Sequence, residues 1–180
     1  IVPEWIFDRG FSKEALKKWE CTYNPKNRSL VIPVKDEYNR LVGWIERFPP
    51  GSSFRYYNNI KKSEILFGAS LLLHNSSYIF LTEGPLDTIW FDQNNFSAVA
   101  ILGVYLSKKQ ELLLKNIAVT AMTGKGAEAN KDKLAGLIVK AVRMIAESNL
   151  KSNLESNWKN SLMNSNKLGV YIVNDNCVNG

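Results

Sequence analysis

Two carboxylates stand beside a glycine and a proline in the stretch IFLTEGPLD, residues 79–87. Four residues typical of a buried strand lead into Glu83, and Asp87 follows four residues later. Gly84 allows a sharp turn and the close approach of a ligand. Pro85 suits the first turn of a helix, where its missing N–H would have no partner anyway. Glu83 and Asp87 are therefore expected to point into one crevice.

Two carboxylates in one crevice suit two kinds of chemistry. Together they can bind Mg²⁺, which prefers oxygen ligands and keeps several waters for work on phosphates. Alternatively, one of them can act as a general acid or base. A structural interpretation stays open beside these: Asp87 complements the positive end of a helix, and Glu83 is a solvated loop acid.

Alternating strands and helices surround these acids from residue 78 to about residue 123. Strands are predicted for YIFLTEG, SAVAILG and IAVTAMTG, and helices for PLDTIWFDQNN and SKKQELLLKN. Ser107 and Gln110 have the spacing of a capping box at the start of the second helix. This alternation predicts a parallel sheet covered by helices on both faces. Function in such sheets collects at the carboxyl ends of the strands, where Glu83 stands.

A smaller α+β lobe is predicted for residues 1–75, before the sheet domain of residues 76–180. FSKEALKKWE is typical of a short helix with Ser12 as its N-cap. SLVIPV and LVGWIERF are typical of two strands joined by the polar turn KDEYNR. FPPGSSFRYYNN interrupts regular structure, and KKSEILFGASLLLHN then has apolar residues at helical spacing. The predicted fold class is α/β.

The last third of the chain is predicted to add a helix and a closing strand. KDKLAGLIVKAVRMIAESN indicates the helix and LGVYIVND the strand. Between them, LKSNLESNWKNSLMNSNK is rich in Ser, Asn and Lys but has apolar residues at every fourth position. A loop and a peripheral amphipathic helix both remain open for this segment.

Composition is that of a soluble protein. Hydrophobic residues make up 45% of the 180 residues and charged residues 22%. No apolar run reaches the roughly 18 residues of a membrane span, and the N-terminus has no signal-peptide pattern, so we expect a cytoplasmic protein without membrane contact. Cys21 and Cys177 are expected to be free thiols in a reducing compartment, and a single histidine, His74, makes a zinc site improbable.

The chain is basic, with a net charge of +6 and a pI of about 9.3. Such a charge favours a polyanionic partner such as nucleic acid. A lysine-rich solvated surface gives the same number, so charge by itself leaves both interpretations open.

The stretch YIFLTEGPLDTIWFDQNNFSAVAILG resembles the opening of a Toprim domain, the catalytic fold of bacterial and phage DNA primases and of topoisomerases. The first motif of that family is an apolar strand ending in Glu-Gly, often with an Asp three residues after the glycine. Glu83, Gly84 and Asp87 match it, and Gly103 matches the glycine that ends the second strand.

The preceding residues are similar to primases rather than topoisomerases. DRGFSKEALKKWECTYNPKNRSLVIPVKDEYNRLVGWIERF resembles the lobe before Toprim in phage primases, and IKKSEILFGASLL resembles the segment just before Toprim there. The resemblance covers about residues 5–145 through four short motifs in the same order. It implies a Toprim-like parallel sheet flanked by helices and preceded by a smaller α+β lobe.

The resemblance implies a primase-like core that makes RNA primers on single-stranded DNA in replication. Ribonucleotidyl transfer of this kind rests on positioning and on charge stabilisation by Mg²⁺ or Mn²⁺ and basic side chains. Glu83 and Asp87 would be the catalytic metal ligands. By the family match, Arg47, Lys61 and Lys62 would bind template and nucleotide. Arg55 lies nearby in the sequence and is a further candidate, and Tyr56 and Tyr57 would stack on bases. A solvated surface charge is the alternative for each basic residue.

Further partners follow from the same resemblance. Besides single-stranded DNA and nucleotides, it implies a replicative helicase, a zinc-binding module or another replication protein, in a bacterial host cell with a phage or plasmid context. The chain begins without Met and ends at NDNCVNG, so we expect it to be part of a longer protein.

The third acidic motif of the family, an Asp-x-Asp pair at the end of the third strand, is not matched. Thr123 and Lys125 stand at the end of the predicted strand IAVTAMTG instead. Three interpretations remain open. Glu128 or Asp132 supplies the missing metal ligand; VYIVNDN is the true third strand, with Asp175 as ligand and residues 124–168 as an insertion; or the site is degenerate and binds without catalysing.

These interpretations lead to different functions. The first two favour a primase core. The third favours a catalytically degenerate Toprim-like module that binds nucleic acid or scaffolds a replication or transcription complex. A Toprim nuclease is a further alternative, disfavoured because the lobe before the Toprim-like segment resembles that of primases.

Overall fold

The computed structural model describes residues 2–72, 78–122, 130–151 and 169–173. Its first half contains a 3-10 helix at Glu4–Arg9, helix α1 and a four-stranded antiparallel sheet in the order β1-β2-β3-β4. The bounds are Lys13–Lys18 for α1, Thr22–Asn24 for β1, Ser29–Lys35 for β2, Leu41–Arg47 for β3 and Tyr56–Asn58 for β4. The fourth strand lies inside a segment predicted to be irregular.

The second half contains a three-stranded parallel sheet in the order β6-β5-β7, with three helices. The bounds are Tyr78–Thr82 for β5, Pro85–Gln93 for α2, Ala98–Ala100 for β6, Lys108–Met122 for α3, Lys131–Lys151 for α4 and Gly169–Val173 for β7. The predicted α/β class, with a parallel sheet after an α+β lobe, is confirmed.

Local sequence signals in the first half are also confirmed. The Ser12 side chain caps α1 by accepting a hydrogen bond from the backbone N–H of Ala15 at 3.0 Å. The turn between β2 and β3 closes around Asp36, whose carboxylate accepts from the backbone N–H groups of Tyr38 and Arg40. Side-chain oxygens that satisfy nearby backbone donors are the physical reason why Ser and Asp occupy such positions.

Glu46, in β3, has a buried carboxylate that is surrounded by neutral donors. Asn24 and Asn27 donate to it through their amides at 3.2 Å and 3.0 Å, and the Ser29 hydroxyl donates at 2.7 Å. Burial disfavours the ionised form, but the hydrogen bonds from Asn27, Ser29 and Asn24 outweigh that cost and lower the pKa of Glu46 below its ordinary value. The carboxylate thereby ties β3 to the turn between β1 and β2.

Replacing Glu46 by glutamine is expected to lower the free energy of unfolding at pH 7 by about 1–3 kcal/mol, because the hydrogen bonds lose their charged acceptor. The pKa of Glu46 is lower in the folded than in the unfolded state, so its stabilisation is complete above the unfolded-state pKa. It is lost as pH falls through the folded-state pKa. Urea unfolding at pH 7 and pH 3 should therefore show a stability difference that shrinks at the lower pH. A difference independent of pH, or one equal to that of the exposed Glu4→Gln control, would contradict this role.

Residues 61–72 differ from the predicted helical segment. They contain only two 3-10 turns, Lys62–Glu64 and Ala69–Leu71, and the backbone leaves the first turn in an extended conformation at Ile65. Phe67 pairs with Ala100 through two backbone hydrogen bonds of 2.9 Å. Gly68 has a φ of +86°, and a side chain there would meet Thr88 at 2.9 Å and the Ala98 carbonyl at 3.1 Å. Pairing with the edge of β6 has replaced helix formation.

The predicted strand IAVTAMTG is wrong over its described part, because α3 continues through Met122. The Thr120 hydroxyl donates to the carbonyl of Asn116, four residues earlier, as in a regular helix. Ala118 is buried and forms a small apolar cluster with Ala135, together with Val119 and Ile138. Packing against α4 has therefore decided the conformation of a segment whose apolar, β-branched composition suits either state.

The two halves share one hydrophobic core. The largest apolar cluster combines buried side chains of the first half, such as Leu16 and Ile32, with Leu86, Ile89 and Ala100 of the second. Hydrogen bonds reinforce this packing where α1 meets α2. The principal contacts are Lys18 and Trp19 with Asp92, and Ser12 and Gly10 with Gln93.

Cys21 lies in this core as a free thiol. Burial raises its pKa to about 12, so the thiol stays protonated and unreactive at neutral pH. Cys177 and His74 lie outside the described residues.

Candidate functional site

Glu83 follows directly on the central strand of the parallel sheet. Thr82, the last residue of β5, pairs with Ala100 of β6 on one side and with Val173 of β7 on the other. Glu83 therefore stands at the carboxyl edge of the sheet, between the ends of its two neighbouring strands. This is the position predicted from the sequence, and it is where ligands bind in open parallel sheets.

Two buried hydroxyls hold the turn that carries Glu83. Thr82 Oγ1 lies 2.8 Å from Thr88 Oγ1, 3.2 Å from the Gly84 carbonyl and 3.3 Å from the Val99 carbonyl. Thr88 Oγ1 lies 3.4 Å from the Gly84 carbonyl. Thr82 and Thr88 are 1% and 0% exposed, so water does not compete for these contacts. The residues on both sides of Glu83 are thus tied to β6 and to α2.

Asp87 lies in the first turn of α2. Gly84 is the N-cap with an extended backbone and Pro85 is the first helical residue, as predicted. Asp87 is the third helical residue and is 6% exposed. A buried carboxylate there interacts favourably with the partial positive charge of the helix N-terminus. The structure thus places Glu83 and Asp87 within one strand–turn–helix unit.

Asp132 lies near a lysine of the preceding helix. It lies in the first turn of α4, its side chain is 77% exposed, and its Oδ1 is 3.7 Å from Lys115 Nζ of α3. Within the described residues, no three His, Cys, Asp or Glu side chains form a group that could hold a metal ion. Carboxylate oxygens are the donors that hard cations prefer, so Glu83 and Asp87 fit such a cation by donor type, and they would be only part of its ligand set. The other acidic candidates, Glu128 and Asp175, lie outside the described residues, as do Thr123 and Lys125.

The third strand of the sheet is β7, which pairs with β5 over its full length from Tyr78–Gly169 to Thr82–Val173. Its last residue, Val173, is therefore level with the residue before Glu83. In the sequence, Asn174, Asp175 and Asn176 follow Val173. The strand predicted for IAVTAMTG, residues 117–124, does not form over its described part, 117–122, which belongs to α3.

The guanidinium groups of Arg47 and Arg55 both lie close to the aromatic ring of Tyr56. The guanidinium of Arg47 lies 4.9 Å from the ring centre of Tyr56, and that of Arg55 lies 6.0 Å from it. Arg47 is buried and donates to the carbonyl of Arg55 at 3.1 Å, whereas Arg55 is exposed. Tyr56 therefore packs against the protein's own cations. Tyr57, on the opposite face of the strand, is 53% exposed and open to a ligand.

Lys61 and Lys62 lie next to each other at the surface and differ in their contacts. Lys61 forms an ion pair with Glu64, three residues later. Lys62 is exposed and, among the residues that the structure describes, has no carboxylate within ion-pair distance. Arg55, Lys61 and Lys62 thus lie at the surface, whereas Arg47 is buried.

Thr82, Thr88 and Gln110 are structural contributors that sequence reasoning did not assign to the site. The strand signal covers Thr82 and the helix signal covers Thr88, but their mutual contact depends on the turn between them. Gln110 was recognised only as half of a capping box, and its contacts with residues 62–65 appear only in the folded chain.

Solved structures show that the chain has the fold of DnaG primase catalytic cores. The DnaG primase catalytic domain bound to ssDNA and the E. coli primase catalytic core each superpose with a TM-score of 0.56 at 18% identity, over 63% of this chain. The Aquifex aeolicus primase, with its zinc-binding and RNA polymerase domains, superposes with a TM-score of 0.50 at 18% identity, over 81% of this chain. The matches cover 50%, 51% and 55% of those chains, so this chain spans about half their length.

Sequence similarity to characterised proteins is local. The DNA primase of Mycoplasma genitalium is 29% identical over 92 residues, which cover 48% of this chain and 15% of that protein. The thermosome subunit beta of Archaeoglobus fulgidus is 56% identical over 46 residues, or 26% of this chain and 8% of that protein. No protein-family model matches the chain. The thermosome match was not foreseen from the sequence, and it covers too little of that protein to indicate a shared fold.

No helix within the described ranges has the length and the apolar character that are needed to cross a membrane.

Proposed function

We propose that the chain is the RNA-polymerising core of a DNA primase, which acts on single-stranded DNA in replication. The observation that carries this proposal is the position of Glu83. It stands at the carboxyl end of the central parallel strand, followed by Gly84 and by Asp87 in the next helix, within the fold of primase catalytic cores.

In this proposal, Glu83 and Asp87 ligate Mg²⁺ or Mn²⁺ in a Toprim-like site. A bound divalent cation supplies positive charge that offsets the charge of the transferring phosphoryl group. The residues of the chain fix where that charge is held. The Thr82–Thr88 contact holds the turn around Glu83, and Asp87 lies in the first turn of α2, where the helix N-terminus carries partial positive charge.

Asp175 is the best candidate for the missing third acid. The chain segment that pairs beside β5 is β7, and Asp175 follows its last described residue by two positions. This favours VYIVNDN as the third motif strand and residues 124–168 as an insertion. Asp132 is disfavoured because it is exposed and lies beside Lys115.

The basic residues of the first half are proposed to bind the template backbone and the nucleotide triphosphate. Arg55, Lys61 and Lys62 are the exposed members, and Arg47 holds the segment around Tyr56 in place. Tyr57 offers an exposed ring on which a base can stack.

Replacing Lys62 by alanine is expected to weaken binding of a short single-stranded DNA about two- to fivefold in 0.1 M salt, the order expected for one phosphate contact. The slope of log affinity against log salt should become shallower by about 0.7. Fluorescence anisotropy over a range of salt concentrations measures both quantities. Lys13, which is exposed in α1 and outside the predicted cluster, provides the control Lys13→Ala. Equal effects of the two substitutions would contradict a specific role for Lys62.

The proposed activity is tested by incubating the chain with a single-stranded template, labelled ribonucleotides and Mg²⁺ or Mn²⁺, and resolving short products on a gel. The proposal predicts RNA products that require both template and metal. A chain that binds the template but makes no product with either metal would contradict it.

That contradicting result would favour the second candidate, a non-catalytic module that binds nucleic acid or scaffolds a replication complex. One observation supports this candidate: within the described residues, Glu83 and Asp87 are not joined by a third acidic side chain.

A further inference from the structure

Gln110 is a fully buried side chain that connects three separate parts of the chain. It lies in the first turn of α3 and is 1% exposed. Its amide nitrogen lies within hydrogen-bond distance of three backbone carbonyls: Ile101 at 2.8 Å, Ile65 at 2.9 Å and Lys62 at 3.0 Å. A side-chain amide has two hydrogens, so three acceptors use its full donor capacity.

The capping box of α3 reaches beyond its own helix. Gln110 Oε1 accepts from the backbone N–H of Ser107 at 3.0 Å, and Ser107 Oγ accepts from the backbone N–H of Gln110 at 3.1 Å. These two bonds are the usual function of the motif. In addition, the Ser107 hydroxyl donates to the carbonyl of Ser63. The start of α3 therefore holds the backbone from Lys62 to Ile65 at several points.

The same glutamine is connected to the edge of the sheet that carries Glu83. Ile101, whose carbonyl accepts from Gln110, donates its own N–H to the carbonyl of Thr82 at 3.1 Å. Thr82 is the residue before Glu83. A continuous series of hydrogen bonds thus runs from the turn of Glu83 through Ile101 and Gln110 to the backbone of Lys62.

We propose that Gln110 is a positioning residue: it fixes the position of the Lys62 backbone relative to Glu83. The Lys62 ammonium can then contact a phosphate of the bound strand. This inference rests on the proposed function, because it requires that nucleic acid binds along this edge. Lys62 has a long, exposed side chain, and the backbone that carries it is a short 3-10 turn. Such a turn has few hydrogen bonds of its own, so its position depends on the contacts with α3.

A double-mutant cycle tests this role. Single-stranded DNA affinity and its salt dependence are measured by fluorescence anisotropy for the wild type, Gln110→Met, Lys62→Ala and the double variant. Methionine keeps the length of the side chain but cannot donate to the three carbonyls. Gln110→Met is expected to weaken binding two- to fivefold and to make the salt slope shallower by about 0.7, as Lys62→Ala does. In the Lys62→Ala background, Gln110→Met should have no further effect.

Several results would overturn the inference. If Gln110→Met weakens binding by the same factor whether or not Lys62 is present, its effect does not pass through Lys62. If it changes neither affinity nor slope while Lys62→Ala changes both, Gln110 is purely structural and the proposed function still stands. If the wild type does not bind single-stranded DNA at low salt, the proposed function itself fails.

Two further variants distinguish the proposed effect on binding from a general loss of stability. Gln93→Met is the matched control, since Gln93 also joins two elements, with bonds to Gly10 and Ser12, but does not contact residues 62–65. It should leave affinity and salt slope unchanged. If Gln110→Met does not fold by circular dichroism, Ser107→Ala takes its place, because it removes the bond to Ser63. Ser107→Ala is then expected to weaken binding only when Lys62 is present, and an effect independent of Lys62 would contradict the proposal.

Discussion

Replacing Glu83 by glutamine is expected to lower the rate of primer synthesis about 100- to 1,000-fold, because a metal-held charge contributes several kcal/mol to phosphoryl transfer and each 1.36 kcal/mol is tenfold in rate. Glutamine keeps the shape of glutamate and removes its negative charge. Buried hydroxyl contacts of Thr82 and Thr88 hold the turn around residue 83, and Glu83→Gln leaves them in place. The fold should therefore persist, and the loss should appear in product formation under saturating template.

Two controls separate this effect from a general change in charge. Glu64→Gln removes an exposed carboxylate that is paired with Lys61, and Asp132→Asn removes one that lies near Lys115. Both should retain product formation within about threefold, since surface ion pairs contribute little. A rate for Glu83→Gln within threefold of the wild type would exclude Glu83 as a catalytic metal ligand. A large loss for Asp132→Asn would instead restore Asp132 to the site.

Replacing Phe67 by alanine is expected to lower the free energy of unfolding by about 3–5 kcal/mol, the usual cost of truncating a buried aromatic side chain. Phe67 is 1% exposed and stacks on Trp19 with ring centres 4.9 Å apart. It also pairs through its backbone with Ala100 of the parallel sheet. One side chain thus contacts the core of the first half while its backbone extends the sheet of the second.

Denaturant unfolding followed by both tryptophan fluorescence and circular dichroism measures this effect. Because the halves share a core, both signals should shift together to a lower midpoint in Phe67→Ala, in a single transition. Phe54→Ala, which truncates a ring that is 73% exposed, is the control and should change stability by less than about 1 kcal/mol. Two separate transitions in Phe67→Ala would show that the halves unfold independently and would contradict the shared core.

Elements with local signals could be predicted from the sequence. Ser12 marks the start of α1, Pro85 marks the start of α2, and Ser107 with Gln110 marks the start of α3. Each signal acts within a few residues, through a side-chain cap or a fixed φ. The conformation that it favours is also the one found in the folded chain, so tertiary packing does not oppose it. The hairpin of β2 and β3 was predictable for the same reason, because Asp36 closes its turn locally.

Elements decided by packing could not be predicted in this way. Residues 117–122 are apolar and β-branched enough for a strand, but contact of Ala118 with Ala135 keeps them helical. Residues 61–75 have apolar residues at helical spacing, yet Phe67 pairs with Ala100 at the edge of the parallel sheet instead of lying in a helix. Because residues 117–122 are helical, the strand that pairs beside β5 on the side away from β6 is β7, and Asn174, Asp175 and Asn176 follow it in the sequence.

The residues of the candidate site also fall into a group that local sequence predicts and a group that depends on tertiary contacts. Glu83, Gly84 and Asp87 lie within five residues of one another, so their position at the end of β5 and the start of α2 followed from the sequence. The supporting contacts of Thr82 and Gln110 join residues that are distant along the chain. No local pattern indicates them, since a buried threonine and a capping glutamine are common in proteins without any site.

A metal titration tests the central claim most directly. Mg²⁺ or Mn²⁺ is titrated by calorimetry into the wild type and into Glu83→Gln, with Asp132→Asn as the control for charge. If Glu83 anchors a metal site, the wild type and Asp132→Asn bind saturably at up to millimolar metal, and Glu83→Gln does not. Absence of binding in all three proteins at millimolar metal, or equal binding by the wild type and Glu83→Gln, would contradict a metal-dependent site at the end of β5.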